Sequence, residues 1–154
     1  RAPSGAPGNK RRRVPVRVVL DTNVVMSALL WRGAPHQLLE AIRQRPSIQL
    51  CSSAALLEEL ADVLTRPSAT QRLAIIGKTA REVLADYVDA VELVEPLSVP
   101  RVVPDDPDDD QVIAAALAAH ADLIVSGDSG LLPMGSYQSV PIVTAAQAAQ
   151  RIGR

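Results

Sequence analysis

Apolar residues along the chain alternate between short runs rich in β-branched residues and longer stretches with helical spacing. The short runs predict strands over 18–20, 48–51, 91–94, 123–125 and 141–143. The longer stretches, with serine, threonine, proline or glycine at their ends, predict helices over 24–31, 34–44, 54–64, 79–90, 107–119 and 144–152. We expect a short helix or irregular structure over 68–77, and an extended loop over 96–104, which contains three prolines.

Strands that are separated by helices predict βαβ units. The expected fold is therefore α/β, a three-layer α/β/α sandwich with a mostly parallel central sheet. The composition agrees, because 47% of the 154 residues are hydrophobic while Phe is absent and aromatic residues make up 2%. A core of Val, Leu, Ile and Ala suits helices packed on a parallel sheet. Residues 17–154 fit a single domain.

The charge of the chain is unevenly distributed. Residues 1–17 hold six of the sixteen Lys and Arg and no acid, so residues 18–154 carry ten basic against seventeen acidic residues, a net charge of −7. We expect residues 1–16 to be a flexible basic arm, either merely solvated or attracting phosphate. The acidic remainder argues against a protein that grips nucleic acid mainly through a basic face.

Other function classes are also disfavoured. Trp31, Tyr87 and Tyr137 are too few and too scattered to form a base-stacking platform. A lone cysteine, Cys51, cannot form an internal disulfide, and no Cys/His group has zinc-ligand spacing. No apolar run is long enough to cross a membrane, and no signal-peptide pattern is seen. We therefore expect a cytoplasmic protein.

Two acids directly follow predicted strands. Asp21 comes after the apolar run that ends at Leu20, and Asp128 follows the strand at 123–125 after Ser126 and Gly127. Parallel strands present their carboxyl ends at one sheet edge, where α/β proteins bind ligands. An Asp in such a place also commonly forms a turn, so neither residue is diagnostic alone.

Two further acids lie beside the core-facing stripe of predicted helices. At about 100° per residue, Glu59 borders the apolar stripe of the helix at 54–64. In the cluster DDPDDD, Asp106 is the natural N-cap before Pro107, and Asp109 is aligned with the buried stripe of the following helix. Acids in a first helical turn also stabilise the helix dipole without any chemistry. An inward carboxylate, however, requires a cation or a hydrogen-bond donor.

Carboxylates that converge in one crevice repel one another unless a cation neutralises them. Oxygen-only ligation without His or Cys indicates Mg²⁺ or Mn²⁺. Such metals bind phosphodiesters and assist their hydrolysis. The four acids together therefore favour a metal-dependent enzyme that acts on phosphodiester bonds.

The sequence resembles the PIN-domain ribonucleases, especially the VapC-like toxins of bacterial toxin–antitoxin systems. The resemblance covers about residues 17–152 and is carried by LDTNVVMSALL, the Glu59 in LLEELADVL, DPDDDQVIAAAL and LIVSGDSGLL, in that order. It implies a metal site and catalytic centre formed by four acids, with two polar groups in support: Asp21, Glu59, Asp109 and Asp128, supported by Asn23 and Ser126.

The resemblance further implies a Mg²⁺- or Mn²⁺-dependent endoribonuclease, an RNA substrate, a cognate antitoxin protein and a homodimer. One departure concerns Asp110, because the family pattern usually has Asn after the catalytic Asp. This leaves Asp109 and Asp110 as alternative ligands, and the helical direction favours Asp109.

Two other functions stay open from the residues themselves. The first is a phosphatase or phosphotransfer domain with Asp21 as the nucleophile, which generally needs a nearby second acid and a Lys. Here position 23 is Asn, and Lys78 is the only lysine outside the arm. The second is a non-catalytic module of the same fold that binds RNA or protein.

Overall fold

The computed structural model describes residues 16–103 and 106–152. The strands, in chain order, are β1 (Val16–Leu20), β2 (Ile48–Ser53), β3 (Val91–Val94), β4 (Leu123–Val125), β5 (Ser136–Tyr137) and β6 (Val140–Val143). The helices are α1 (Thr22–Leu30), α2 (Ala34–Arg43), α3 (Ala54–Val63), α4 (Pro67–Ile76), α5 (Ala80–Ala90), α6 (Pro107–Ala119) and α7 (Ala145–Ile152).

The strands form one six-stranded sheet in the order β3-β2-β1-β4-β6-β5. All neighbours are parallel except β5 and β6, which are antiparallel. From β1 the chain moves to β2 on one side, and it later returns to place β4 on the other side. The strand order therefore reverses between β1 and β4, which is where open α/β sheets form a crevice at the carboxyl ends of their strands.

Alternate residues of the central strands face two separate cores. Val18 and Leu20 pack into a cluster that includes apolar side chains of α1, α2, α4, α5 and α7. Val19 points the other way, into a cluster with Ile113 and other side chains of α6. Successive strand side chains point to opposite faces, and here helices cover both faces. Residues 18–20 of β1 are therefore all apolar and all buried. The three-layer α/β/α prediction is confirmed.

Several element boundaries differ from the predictions. Helix α1 begins at Thr22, directly after Asp21, rather than at position 24. The segment expected to be a short helix or irregular is the regular helix α4, with Pro67 in its first turn and Gly77 in a left-handed conformation at its end. The short strand β5 was not predicted, because two residues carry no periodic pattern.

Residues 1–15 of the expected basic arm lie outside the described residues, whereas Val16 begins β1. The loop expected to be extended has no helix or strand over 96–103, and Pro104 is not described. Within 16–103 and 106–152, no helix is both long and apolar enough to cross a membrane.

Candidate metal centre

The reversal of strand order brings the two strand-end acids together. The Asp21 backbone N–H donates to the carbonyl of Val125 at 2.8 Å, so the end of β1 is fastened to the end of β4. Asp128 lies three residues beyond that carbonyl. Two acids 107 positions apart are thus delivered to one edge of the sheet by the pairing of neighbouring strands.

Helix α6 brings a third acid to the same edge. Asp106 is its N-cap, and its side chain accepts from the backbone N–H groups of Asp108 at 3.1 Å and Asp109 at 3.4 Å. This cap and Pro107 fix where the helix begins, and therefore which acid of the first turn faces the sheet. Asp109 faces inward and is only 3% exposed, whereas Asp108 is exposed.

Asp21, Asp109 and Asp128 form a group able to hold a metal. One carboxylate oxygen from each lies within 4.8 Å of the others. Among the described residues, the Oδ2 atom of Asp109 is buried and has no hydrogen-bond partner. Buried polar atoms are normally paired, so an unpaired carboxylate oxygen on an acid this close to two others fits a bound cation.

Because Gly130 has no side chain, it leaves space for the carboxylates of Asp109 and Asp128. A Cβ atom added there would lie 2.7 Å from Asp109 Oδ2 and 3.4 Å from Asp128 Oδ1. The Gly130 backbone N–H also donates to Asp128 Oδ1 at 2.7 Å. The backbone therefore approaches two of the acids more closely than any side chain would allow.

Ser126 links two of the three acids. Its side chain is fully buried and donates to Asp21 Oδ2 at 2.7 Å, while its oxygen accepts from the Asp128 backbone N–H at 3.0 Å. The hydroxyl thereby fixes the orientation of the Asp21 carboxylate and the turn that carries Asp128. It lies beside Asp21, as expected of a supporting group.

Glu59 and Asn23 lie at the margin of the group. Glu59, on α3, is half-buried and accepts from the Thr22 hydroxyl at 2.6 Å, and it is not one of the three acids whose oxygens lie within 4.8 Å. Asn23 is exposed on the first turn of α1. Both line the same cleft as the three acids, so all six predicted residues meet at this edge.

Asp110 has a different environment from its neighbour. Its Oδ1 accepts from the backbone N–H groups of Val102 at 2.8 Å and Val103 at 2.7 Å. These bonds hold the segment that leads into α6, and Asp110 is not part of the three-acid group. Its burial was not predicted from sequence, because the loop that covers it has no periodic pattern. The structure thus places Asp109, and not Asp110, beside Asp21.

Three acids at this edge, Asp21, Glu59 and Asp109, have pKa values above those of isolated carboxyls. Burial, reinforced by the neighbouring Asp128 carboxylate, raises the pKa of Asp109 to about 8. Burial also raises the pKa of Asp21, against the opposing effect of the Ser126 hydrogen bond. For Glu59, burial raises the pKa to about 6 although the Thr22 hydroxyl favours the charged form. A cation among these groups would favour all of their ionised forms.

The acids line a cleft of about 150 Å³. Asp106 and Asp108 also line it, and the basic side chain in its lining is Arg66, at the N-cap of α4. The Arg66 guanidinium pairs with Asp62 at 3.4 Å, and both side chains are mostly exposed. Such an exposed pair contributes little stability, so Arg66 is free to turn toward a ligand. Thr22, Arg66 and Gly130 were not identified from sequence, because their roles depend on neighbours distant in the chain.

The raised pKa values predict that the metal-free protein loses stability as pH rises. Between the ordinary Asp value of 3.8 and about 8, the folded state binds more protons at Asp109 than the unfolded state does, so the free energy of unfolding falls with pH. We expect the melting temperature in EDTA to be about 3–6 °C lower at pH 8 than at pH 6. Differential scanning calorimetry measures this directly.

An Asp109→Asn variant is the control for this prediction, and added Mn²⁺ is a second test. Asp109→Asn should remove most of the pH dependence between pH 6 and 8, and 1 mM Mn²⁺ should raise the melting temperature of the original protein more at pH 8 than at pH 6. A melting temperature in EDTA that stays constant or rises over this range would contradict the assignment.

Comparison with known protein families gives one match. A family model described as a PIN domain matches residues 17–130. The matched range is most of the chain and contains all of the acids of the cleft. A search of curated proteins found no match.

Proposed function

Because the chain belongs to the PIN-domain family, we propose that it is a divalent-metal-dependent endoribonuclease whose catalytic centre is the acidic cleft. PIN-domain membership indicates nuclease activity, and a cluster of buried acids is present. The observation that carries the proposal is the buried, unpaired Oδ2 atom of Asp109 in a residue whose carboxylate lies within 4.8 Å of two further carboxylates. Without a cation, ionising these three carboxylates together is unfavourable.

Asp21, Asp109 and Asp128 would hold the metal, with Glu59 at the margin as a further ligand or as a group that accepts a proton. The donor set consists of oxygen atoms, which suits Mg²⁺ or Mn²⁺. When bound, such a cation neutralises charge on the phosphodiester and lowers the pKa of water. Ser126 holds the Asp21 carboxylate in one orientation, and the Thr22 hydroxyl does the same for Glu59.

In the metal-free protein, burial raises the pKa of Glu59 to about 6; a cation beside it would favour the carboxylate, which is the form that acts as a base. Its carboxylate is half-buried at the cleft wall, where it can accept a proton from water near the three acids. Asn23 is exposed on the same wall and offers an amide to substrate.

The test is cleavage of RNA by the purified protein. Single-stranded RNA should be cut in Mn²⁺ or Mg²⁺, and the cutting should stop in EDTA and return when metal is restored. Sequencing the ends of the products gives the cleavage sites. Metal binding without any metal-dependent turnover would instead support the non-catalytic binding module.

Arg66 is proposed to contact a phosphate of the RNA strand. We expect Arg66→Ala to raise KM by about tenfold with little change in kcat, and to reduce the salt dependence of RNA binding by about one phosphate contact. Fluorescence anisotropy at several salt concentrations measures the slope. Arg43→Ala is the matched control, because Arg43 is exposed on α2 and does not line the cleft. Equal effects of the two substitutions would show that Arg66 acts only through general charge.

We also propose that the protein is the toxin of a toxin–antitoxin system. The resemblance of the four motifs to VapC-like toxins supports a toxin that acts in the cytoplasm as a homodimer and is inhibited by a cognate antitoxin. The phosphatase or phosphotransfer alternative is not favoured by the cleft, because Lys78 is absent from its lining and Arg66 is its basic group.

A further inference from the structure

A second cavity adjoins the acidic cleft. It has a volume of about 380 Å³ and lies between the first two turns of α1, the first turns of α2 and α7, and the segment 126–128. Asn23 and Asp128 line both this cavity and the acidic cleft, so the two lie side by side. A substrate that is cut among the acids therefore has this cavity directly beside its reacting phosphate.

The lining of this adjoining cavity suits a neutral, flat group with polar edges. Val24, Pro35 and Ala145 provide apolar surface, while Ser27 and Thr144 provide hydroxyls beside the Asn23 amide. Asp128 is the charged residue in this lining, so the part of the chain that the structure describes offers no cation to a phosphate group in this cavity. Small-molecule pockets measure about 300–1,000 Å³, and a cavity at the low end of that range fits one nucleoside rather than two.

We propose that this cavity binds the nucleobase of one nucleotide flanking the phosphodiester that is cut. The inference rests on the proposed ribonuclease function and adds a specificity site to it. Among residues 16–103 and 106–152, no aromatic side chain lines the cavity, so the base would be held by shape and by hydrogen bonds to its edge rather than by stacking. Asn, Ser and Thr side chains all donate and accept hydrogen bonds and so can read a base edge.

The cavity can be filled without altering any acid. Ala146 lines it from α7 and is exposed, so Ala146→Leu adds volume there while keeping a residue with good helix propensity. Gly127→Leu fills it from another side, because a Cβ atom at Gly127 meets nothing within 4 Å. We expect each variant to lower kcat/KM for single-stranded RNA by about tenfold or more.

Ser98→Leu is the matched control. Ser98 lines a separate cavity of about 360 Å³ that shares no lining residue with the adjoining cavity or the acidic cleft. This variant should cleave RNA at the original rate. Calorimetric titration with Mn²⁺ should give the same affinity for the original protein, Ala146→Leu and Gly127→Leu, because the acids are unchanged.

An RNA series with one base removed at each position around the cut bond provides the decisive readout. The original protein should lose about tenfold in kcat/KM when one flanking base is missing, whereas Ala146→Leu should cut the complete and the abasic RNA at equal rates. If filling the cavity leaves RNA cleavage unchanged, or if Ala146→Leu keeps the sensitivity to the missing base, the cavity does not bind a base. A fall in Mn²⁺ affinity that matches the fall in cleavage would likewise overturn the inference. Absence of metal-dependent cleavage by the original protein would overturn the proposed function itself.

Discussion

Asp21→Asn is expected to lower metal-dependent RNA cleavage by at least about a thousandfold while leaving the fold intact. The substitution keeps the shape of the side chain but removes the charge that would hold the cation. Asp21 is 6% exposed and its carboxylate accepts from Ser126, a bond that the Asn oxygen can also accept. Because burial raises the pKa of Asp21, losing its charge should not destabilise the metal-free protein.

The measurements are single-turnover cleavage of RNA in Mn²⁺ and the melting temperature of each protein. Asp86→Asn is the control, because Asp86 is exposed on α5 and has no part in the cleft. An Asp21→Asn protein that cleaves RNA at the original rate would refute the proposed centre. A protein with a melting temperature far below the original would show that Asp21 serves the fold.

Gly130→Ala is expected to weaken Mn²⁺ binding by about tenfold or more, and cleavage with it, although it changes no acid. The new Cβ would lie 2.7 Å from Asp109 Oδ2, a distance at which the carboxylate must move. Asp109 is 3% exposed and short, so it has little space in which to turn aside. The same Cβ would also lie 3.4 Å from both Asp128 Oδ1 and Val103 Cγ1.

Calorimetric titration with Mn²⁺ measures the loss, and circular dichroism checks the fold. The control is Gly33→Ala, where the added Cβ would meet its nearest neighbour, Pro35 Cδ, at an ordinary 3.8 Å. If Gly130→Ala binds Mn²⁺ as tightly as the original protein, then Asp109 Oδ2 is not directed at the metal.

The sequence predicted those features of the fold that follow from the hydrophobic pattern of a single strand or helix. The run that ends at Leu20 and the run at 123–125 are apolar on both faces, which is typical of strands buried between two helical layers. Parallel strands in such a layer end at one edge, so the sequence by itself predicts that Asp21 and Asp128 lie together. The N-cap at Asp106 and the helical direction of Asp109 also depend only on residues close by in the sequence, because a helix repeats every 3.6 residues.

The tertiary structure decided what depends on neighbours distant in the chain. Asp110 is buried like Asp109, yet its oxygen is taken by two backbone N–H groups of the preceding loop, and no periodicity predicts that loop. The separation of Glu59 from the three-acid group, the approach of Gly130 and the position of Arg66 all depend on how α3, α4 and α6 pack around the sheet edge. Thus the sequence predicted four of the acids that line this edge, Asp21, Glu59, Asp109 and Asp128, because hydrophobic periodicity fixes strands and helix faces. Only tertiary packing determined which oxygen atoms meet there. The distances between those atoms depend on contacts between helices and strands that lie far apart in the sequence.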